Sequence, residues 1–375
     1  MIEIDNTPST DALVALIPCI APSAARSRIL RAHYDNCIKA SLRSLIHECS
    51  KIFSTLCPEQ ATLQSQWSRL TPRMHYLHHK LQSAMRAQCL TNVQHTLSQI
   101  GEEFAACKCV PDFAPVASLG TADWERFVQL EGTRLSSTEQ GRNDTPCPIA
   151  AHDLAACERH ISETLKTLRI VDGELHAEMR EHVDEIKLFN SAVTQGFSDT
   201  RTMGAIFIRP PCVGSNALLY FYEQLIHEMS HLQLHCLFSI DPLIDGDRYR
   251  LMASPIRSDP RPLFGVLHAT YVSAKLANAF FSLYQRSKDE TTLHYLAQIM
   301  DELAIGISSL RESSLTSSGR ALVNSMTNLA LRIAQDGAWS SFDLFTPTLH
   351  RRTRTWVTPD RLNRLRGTQS IKPSI

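Results

Sequence analysis

Neither sign of charge dominates this 375-residue chain: lysine plus arginine number 38, and so do aspartate plus glutamate. No global field therefore draws it to nucleic acid or to an anionic membrane surface. No apolar run approaches the roughly 18 residues of a membrane span. The apolar stretch 13–20 follows Glu3, Asp5 and Asp11, where a secretory signal needs positive charge. None of the eleven cysteines forms a Cys-x-x-Cys, and Cys107-x-Cys109 has neither zinc-finger nor redox spacing. Most of them read as small buried hydrophobes in a reducing compartment, which makes a cytoplasmic protein the expectation. Glycine-rich phosphate loops, internal repeats and a regular β-α alternation are missing as well, which removes the common nucleotide-binding and solenoid classes. One local asymmetry is the tail, where Arg351, Arg352, Arg354, Arg361, Arg364 and Arg366 meet a single Asp360; it reads as a solvated end.

What is present is mostly helical period. It runs through 24–57 and 60–106, with Leu42, Leu45, Ile46, Cys49, Ile52, Phe53 and Leu56 three and four apart, as one buried stripe requires. From 108 to 149, Pro111, Pro115, Gly120, Gly132, Gly141, Pro146 and Pro148 predict a long connection with one short helix around 124–130. Helices are expected at 151–169 and 173–189, then a strand at 204–209 stopped by Pro210-Pro211 and paired with 192–197. Further helices are expected at 215–238, 263–286, 291–311 and 316–336. The fold class is mainly α (α+β), a helical protein with a small β element beside one metal-binding helix. Three regions follow: 1–149, a helical region for substrate or partner recognition; 150–340, a catalytic region; and 341–375, a basic tail.

The informative segment is Leu225-Ile226-His227-Glu228-Met229-Ser230-His231. Four residues turn a helix by about 400° and advance it about 6 Å, so His227 and His231 project from one face. Their imidazoles can then meet one metal ion at about 2.0–2.1 Å. A core helix that happens to hold two histidines is the plainer reading, and Ile226, Met229 and Leu232 have that character. His235 continues the face, but three ligands along one helix would span about 12 Å, so it is expected to line the pocket. His75, His78 and His79 also have helical spacing, lack an acidic neighbour in sequence, and are expected on a solvated face. A catalytic site needs a third ligand and open positions. The next helix carries no acid between 263 and 284, but it does carry His268. Arg261, between Pro260 and Pro262, has a stiffened backbone suited to presenting a planar fork to a carboxylate; the plainer reading pairs it with Asp259.

Together these segments resemble the His-Glu-x-x-His family of 2-oxoglutarate-dependent peptide β-hydroxylases. The matching residues are Gly204-Ala-Ile-Phe-Ile, Leu225-Ile-His-Glu-Met-Ser-His, Ser254-Pro-Ile-Arg, Asp259-Pro-Arg-Pro-Leu and Gly265-Val-Leu-His-Ala-Thr-Tyr, with Leu315-Thr-Ser-Ser-Gly319-Arg a weaker echo. They cover about a quarter of the chain. Ile256 stands where tryptophan is usual and Ser230 where glutamine is usual, and both bear on the substrate pocket. The resemblance implies Fe(II), 2-oxoglutarate and O2, with hydroxylation of an amino-acid residue in a peptide or amino-acid-derived precursor. It implies His227, His231 and His268 as metal ligands, and Arg261 or Arg257 on the distal carboxylate of 2-oxoglutarate. Glu228 would support the coordination shell or handle protons, and it stays open as a ligand together with Asp259. The competing reading is a zinc metallopeptidase in which Glu228 is the general base on a Zn(II)-bound water. A non-catalytic scaffold with a relic metal site is a third.

Overall fold

The computed structural model describes residues 9–52, 69–106, 115–140, 144–257 and 259–336, without the side chains of 135–140. The basic tail lies outside them. Strand β3 (Glu185–Asn190) alternates its apolar side chains between two faces, and the whole arrangement is built on that alternation. It pairs in parallel with β1 (Val116–Ser118) and with β5 (Ala205–Ile208), and antiparallel with β2 (Cys147–Pro148). The edge strand β4 (Gly196–Ser198) runs antiparallel to β5, placing Phe197 opposite Phe207. Ile186, Leu188, Ile206 and Ile208 face one hydrophobic core, while Phe189, Phe197, Ala205 and Phe207 face another. Each of these isoleucine, leucine and phenylalanine side chains, fully buried, stabilises the fold by about 1.5–3 kcal/mol.

Helices cover both faces. The larger core holds α6 (Ala151–Val171), α7 (Gly173–His182), α8 (Ala217–Phe238), α9 (Leu263–Ser287), α10 (Glu290–Arg311) and α11 (Ser317–Gln335). The short α1 (Thr10–Val14) precedes α2 (Ala24–Ser50), whose Leu30 joins this core while Leu42, Ile46 and Cys49 reach the other. That second core is completed by α3 (Pro72–Arg86), α4 (Leu90–Ala106) and α5 (Asp123–Gln140). The molecule is therefore mainly α with a small sheet between two helical layers. A β-ribbon of β6 (Leu251–Met252) and β7 (Arg261–Pro262) leads into α9. No helix among the described residues is long and apolar enough to cross a membrane.

Several expected boundaries change. The helix expected over 173–189 ends at His182, and Val183 turns extended, because Ile186 and Leu188 gain two parallel neighbours and a buried face. The connection expected at 108–149 contains the 18-residue α5 and two strands of the sheet. The 60–106 period is broken at Gln88, whose φ of 52° is left-handed, between α3 and α4. The solvated face expected for His75 and His78 is wrong: both are buried between α2 and α3. His75 Nε2 lies 3.2 Å from Asp35 Oδ1 and His78 Nε2 lies 2.9 Å from Ser41 Oγ. The acid that sequence spacing lacked comes from α2. Burial would raise the Asp35 carboxyl, but the Arg31 guanidinium at 3.0 Å and His75 outweigh it and hold it well below the usual range.

Candidate metal centre

Helix α8 starts at an Asn216 cap whose side chain accepts the Leu219 N–H at 3.1 Å. From Leu219 to Leu237 it is buried everywhere except at His227, His231 and His235, which are half-buried, with Phe238 next in line. Spacings of four, four and three put these on one stripe, so the only open face of a core helix is lined with imidazoles. The first turn of α9 borders the same opening, with Phe264 and His268 half-buried and Gly265 exposed. Its leading N–H groups are held by the preceding loop: Leu263 donates to the Arg250 carbonyl at 2.8 Å and Phe264 to that of Arg248 at 3.0 Å.

The three predicted ligands come together. His231 Nε2 lies 3.2 Å from His227 Nε2, and its Nδ1 lies 3.1 Å from His268 Nδ1. The His227–His231 spacing suits two nitrogens each about 2.0–2.1 Å from a shared ion. His231 thus turns one nitrogen to each neighbour, and the rings do not yet converge on a single point. One ion takes one nitrogen per ring, so enlisting His268 calls for a turn about a Cβ–Cγ bond, a broad twofold torsion. The donor chemistry fits a divalent metal on two counts. His268 Nε2 is buried and has no hydrogen-bond partner among the described residues. Burial, chiefly, also keeps the rings neutral with lone pairs available: it pushes His231 down to about 3, His235 to about 4, and His268 well below its ordinary value, where His231, His235 and Arg248 add to the effect.

Glu228 points elsewhere. A Cβ on Gly196 would lie 2.7 Å from its Oε1, so the carboxyl sits in the seam between α8 and β4. Burial pushes it up to about 8, which hydrogen bonding with Ser198 offsets only in part, and its Oε2 has no partner among the described residues. A carboxyl in that state is protonated at neutral pH and is a poor metal ligand. His235 packs its ring 5.0 Å from that of His268.

The arginines divide. Arg261 Nε is 3.4 Å from Asp259 Oδ2 at a partly open turn, so its charge is already met. The Arg257 N–H donates to Ser254 Oγ at 3.2 Å. Arg248, which spacing did not single out, has its guanidinium carbon 4.2 Å from the Phe264 ring centre, and the Phe264 ring is 4.4 Å from that of His268. Among the described residues it has no carboxylate partner. Only the backbone pairing of the 248–250 loop with the start of α9 brings it there, a contact invisible to helical period. Compared with the models of known protein families and with curated proteins, the chain matches none.

Proposed function

We propose that the chain is a cytoplasmic non-haem Fe(II)/2-oxoglutarate-dependent oxygenase that hydroxylates the β-carbon of an amino-acid residue in a peptide or related precursor. The observation that supports this most directly is the clustering of three imidazoles, from α8 and α9, on the one accessible face of the metal helix, with His231 in contact with both of the others. His227, His231 and His268 would hold the ion and leave its other positions open. Bound iron supplies oxygen activation, in the overall conversion of a C–H group, O2 and 2-oxoglutarate into a C–OH group, succinate and CO2. Phe264, Phe238 and His235 wall the opening and limit water at the reacting carbon. A guanidinium beside the opening would hold the distal carboxylate. Arg248 suits that part better than Arg261, because Arg261 is paired with Asp259 while no carboxylate among the described residues neutralises Arg248, and Phe264 fixes its plane. Glu228, protonated in its seam, would brace α8 against β4 and could pass a proton without carrying charge into the core.

The zinc peptidase reading draws on Glu228, whose raised pKa suits proton transfer. It asks for a carboxylate ligand on the following helix, and α9 has none. Assay of anaerobically purified protein given Fe(II), 2-oxoglutarate and air separates the two. Succinate should form with Fe(II) and not with Zn(II). Arg248→Met should raise the apparent Michaelis constant for 2-oxoglutarate by tenfold or more, while Arg261→Met moves it little. Peptide hydrolysis with Zn(II), and no succinate with Fe(II), would overturn the proposal.

A further inference from the structure

Helix α9 carries His268, Tyr271 and Lys275 at spacings of three and four, one stripe along a single face. Below His268 that stripe is dry: Tyr271 and Lys275 are each 1% exposed. The Tyr271 hydroxyl donates to Gln233 Oε1 at 2.6 Å, and Gln233 Nε2 donates to Ser27 Oγ at 3.1 Å, with both Gln233 and Ser27 fully buried. Burial, chiefly, raises the phenol far above its ordinary value, so it stays a donor. Glutamine can accept at one atom and donate at another, so a single side chain on α8 bridges α9 to α2. One turn further along, Lys275 pairs with Glu178 of α7, and Glu178 also accepts from the Ser23 N–H at 3.0 Å and from Arg26 at 3.4 Å. Both anchors of the α9 stripe thus end on neighbouring residues at the start of α2. At the far end of the helix pair, the Tyr222 hydroxyl donates to the Ala279 carbonyl at 3.0 Å.

We infer that Tyr271, Gln233 and Ser27 form a positioning bridge that fixes α9 along α8 and so holds His268 within reach of His231. The inference rests on the metal reading of the three imidazoles and not on which reaction follows. Its physical basis is a mismatch of tolerances. Around the bridge the helices meet through apolar side chains, among them Ala274, Ala277 and Ala279 of α9, and apolar contact has no preferred direction. A slip of one residue moves a helix about 1.5 Å along its axis. Metal–nitrogen distances tolerate only about ±0.2 Å. A directional hydrogen bond three residues beyond His268 and two beyond His231 supplies the missing constraint.

Cobalt(II) is the probe, because its visible absorption reports the number and geometry of its ligands. Parent protein, Tyr271→Phe and the double variant Tyr271→Phe/Gln233→Leu are titrated with Co(II) alone and melted in parallel. Tyr271→Phe should bind Co(II) about tenfold more weakly, as losses of supporting hydrogen bonds at metal sites do, with an altered spectrum. The double variant removes the buried amide that Tyr271→Phe orphans and leaves only the small Ser27 hydroxyl without its bond, so its melting temperature should return part of the way toward that of the parent while the affinity stays low. Recovery of affinity together with stability would make the bridge structural only and overturn the inference. So would Co(II) binding by Tyr271→Phe within threefold of the parent and with the same spectrum. Failure of the parent itself to bind Co(II) would remove the metal reading beneath it, an outcome visible before any substitution is made.

Discussion

His182, the last residue of α7, is fully buried, and among the described residues neither ring nitrogen has a hydrogen-bond partner. Burial pushes it down to about 3, more than nearby Glu178 can restore, so it is neutral in the folded chain across the physiological range. In the unfolded chain it takes up a proton near its ordinary value of about 6.5. The unfolded state therefore binds more protons between about pH 3 and 6.5. Stability from this group is complete above pH 6.5 and is lost as pH falls through that window, by up to about 1.4 kcal/mol per pH unit. Replacing His182 by leucine removes both the orphaned nitrogens and the titration. Melts of parent and His182→Leu should show the variant gaining much more at pH 5.5 than at pH 8; an equal difference at both would show that His182 does not titrate on unfolding. The same scale explains what was legible in the sequence. His227 and His231 could be read because helical period alone puts them on one face, and His268 because no acid competes with it on α9. Arg248 could not, since its place above Phe264 depends on the loop's backbone pairing.

Between elements, shape competes with propensity. Gly306 lies inside α10, where alanine would favour the helix by about 1 kcal/mol. A Cβ there would collide with the Thr270 side chain of α9, and overpacking costs about 1–3 kcal/mol. Gly101 of α4 has open space instead, so only the propensity term acts. Chemical denaturation should thus find Gly306→Ala destabilised and Gly101→Ala stabilised by up to about 1 kcal/mol; a stabilised Gly306→Ala would show that α9 and α10 are not in close contact. Long helices from residue 151 onward were legible because each carries many turns of consistent period. β1, β2 and β3 were not: β1 and β2 are only three and two residues long, and what makes all three strands is pairing with partners far away in the chain. β5 stood out because Ala205-Ile-Phe-Ile is apolar on both faces and bounded by Gly204 and Pro210.

At the scale of the molecule, the division near residue 149 does not separate two cores. β1 and β2 come from before it and pair with β3 after it, and α2 sends Ser27 and Leu30 into the side of the sheet that carries α8. The helical N-terminal region is thereby part of what holds the imidazoles. The arrangement places three imidazoles, a closed support behind them and a guanidinium with no carboxylate partner among the described residues around one opening. The central claim is that His227, His231 and His268 together hold a single divalent ion. Calorimetric titration of the full chain with Mn(II), an oxygen-stable substitute for Fe(II), tests it most directly. The account predicts one ion per chain, affinity at least tenfold weaker in His268→Ala, and near-parent affinity in His235→Ala, a pocket residue on the same face. Full affinity in His268→Ala, or a loss as large in His235→Ala, would contradict it.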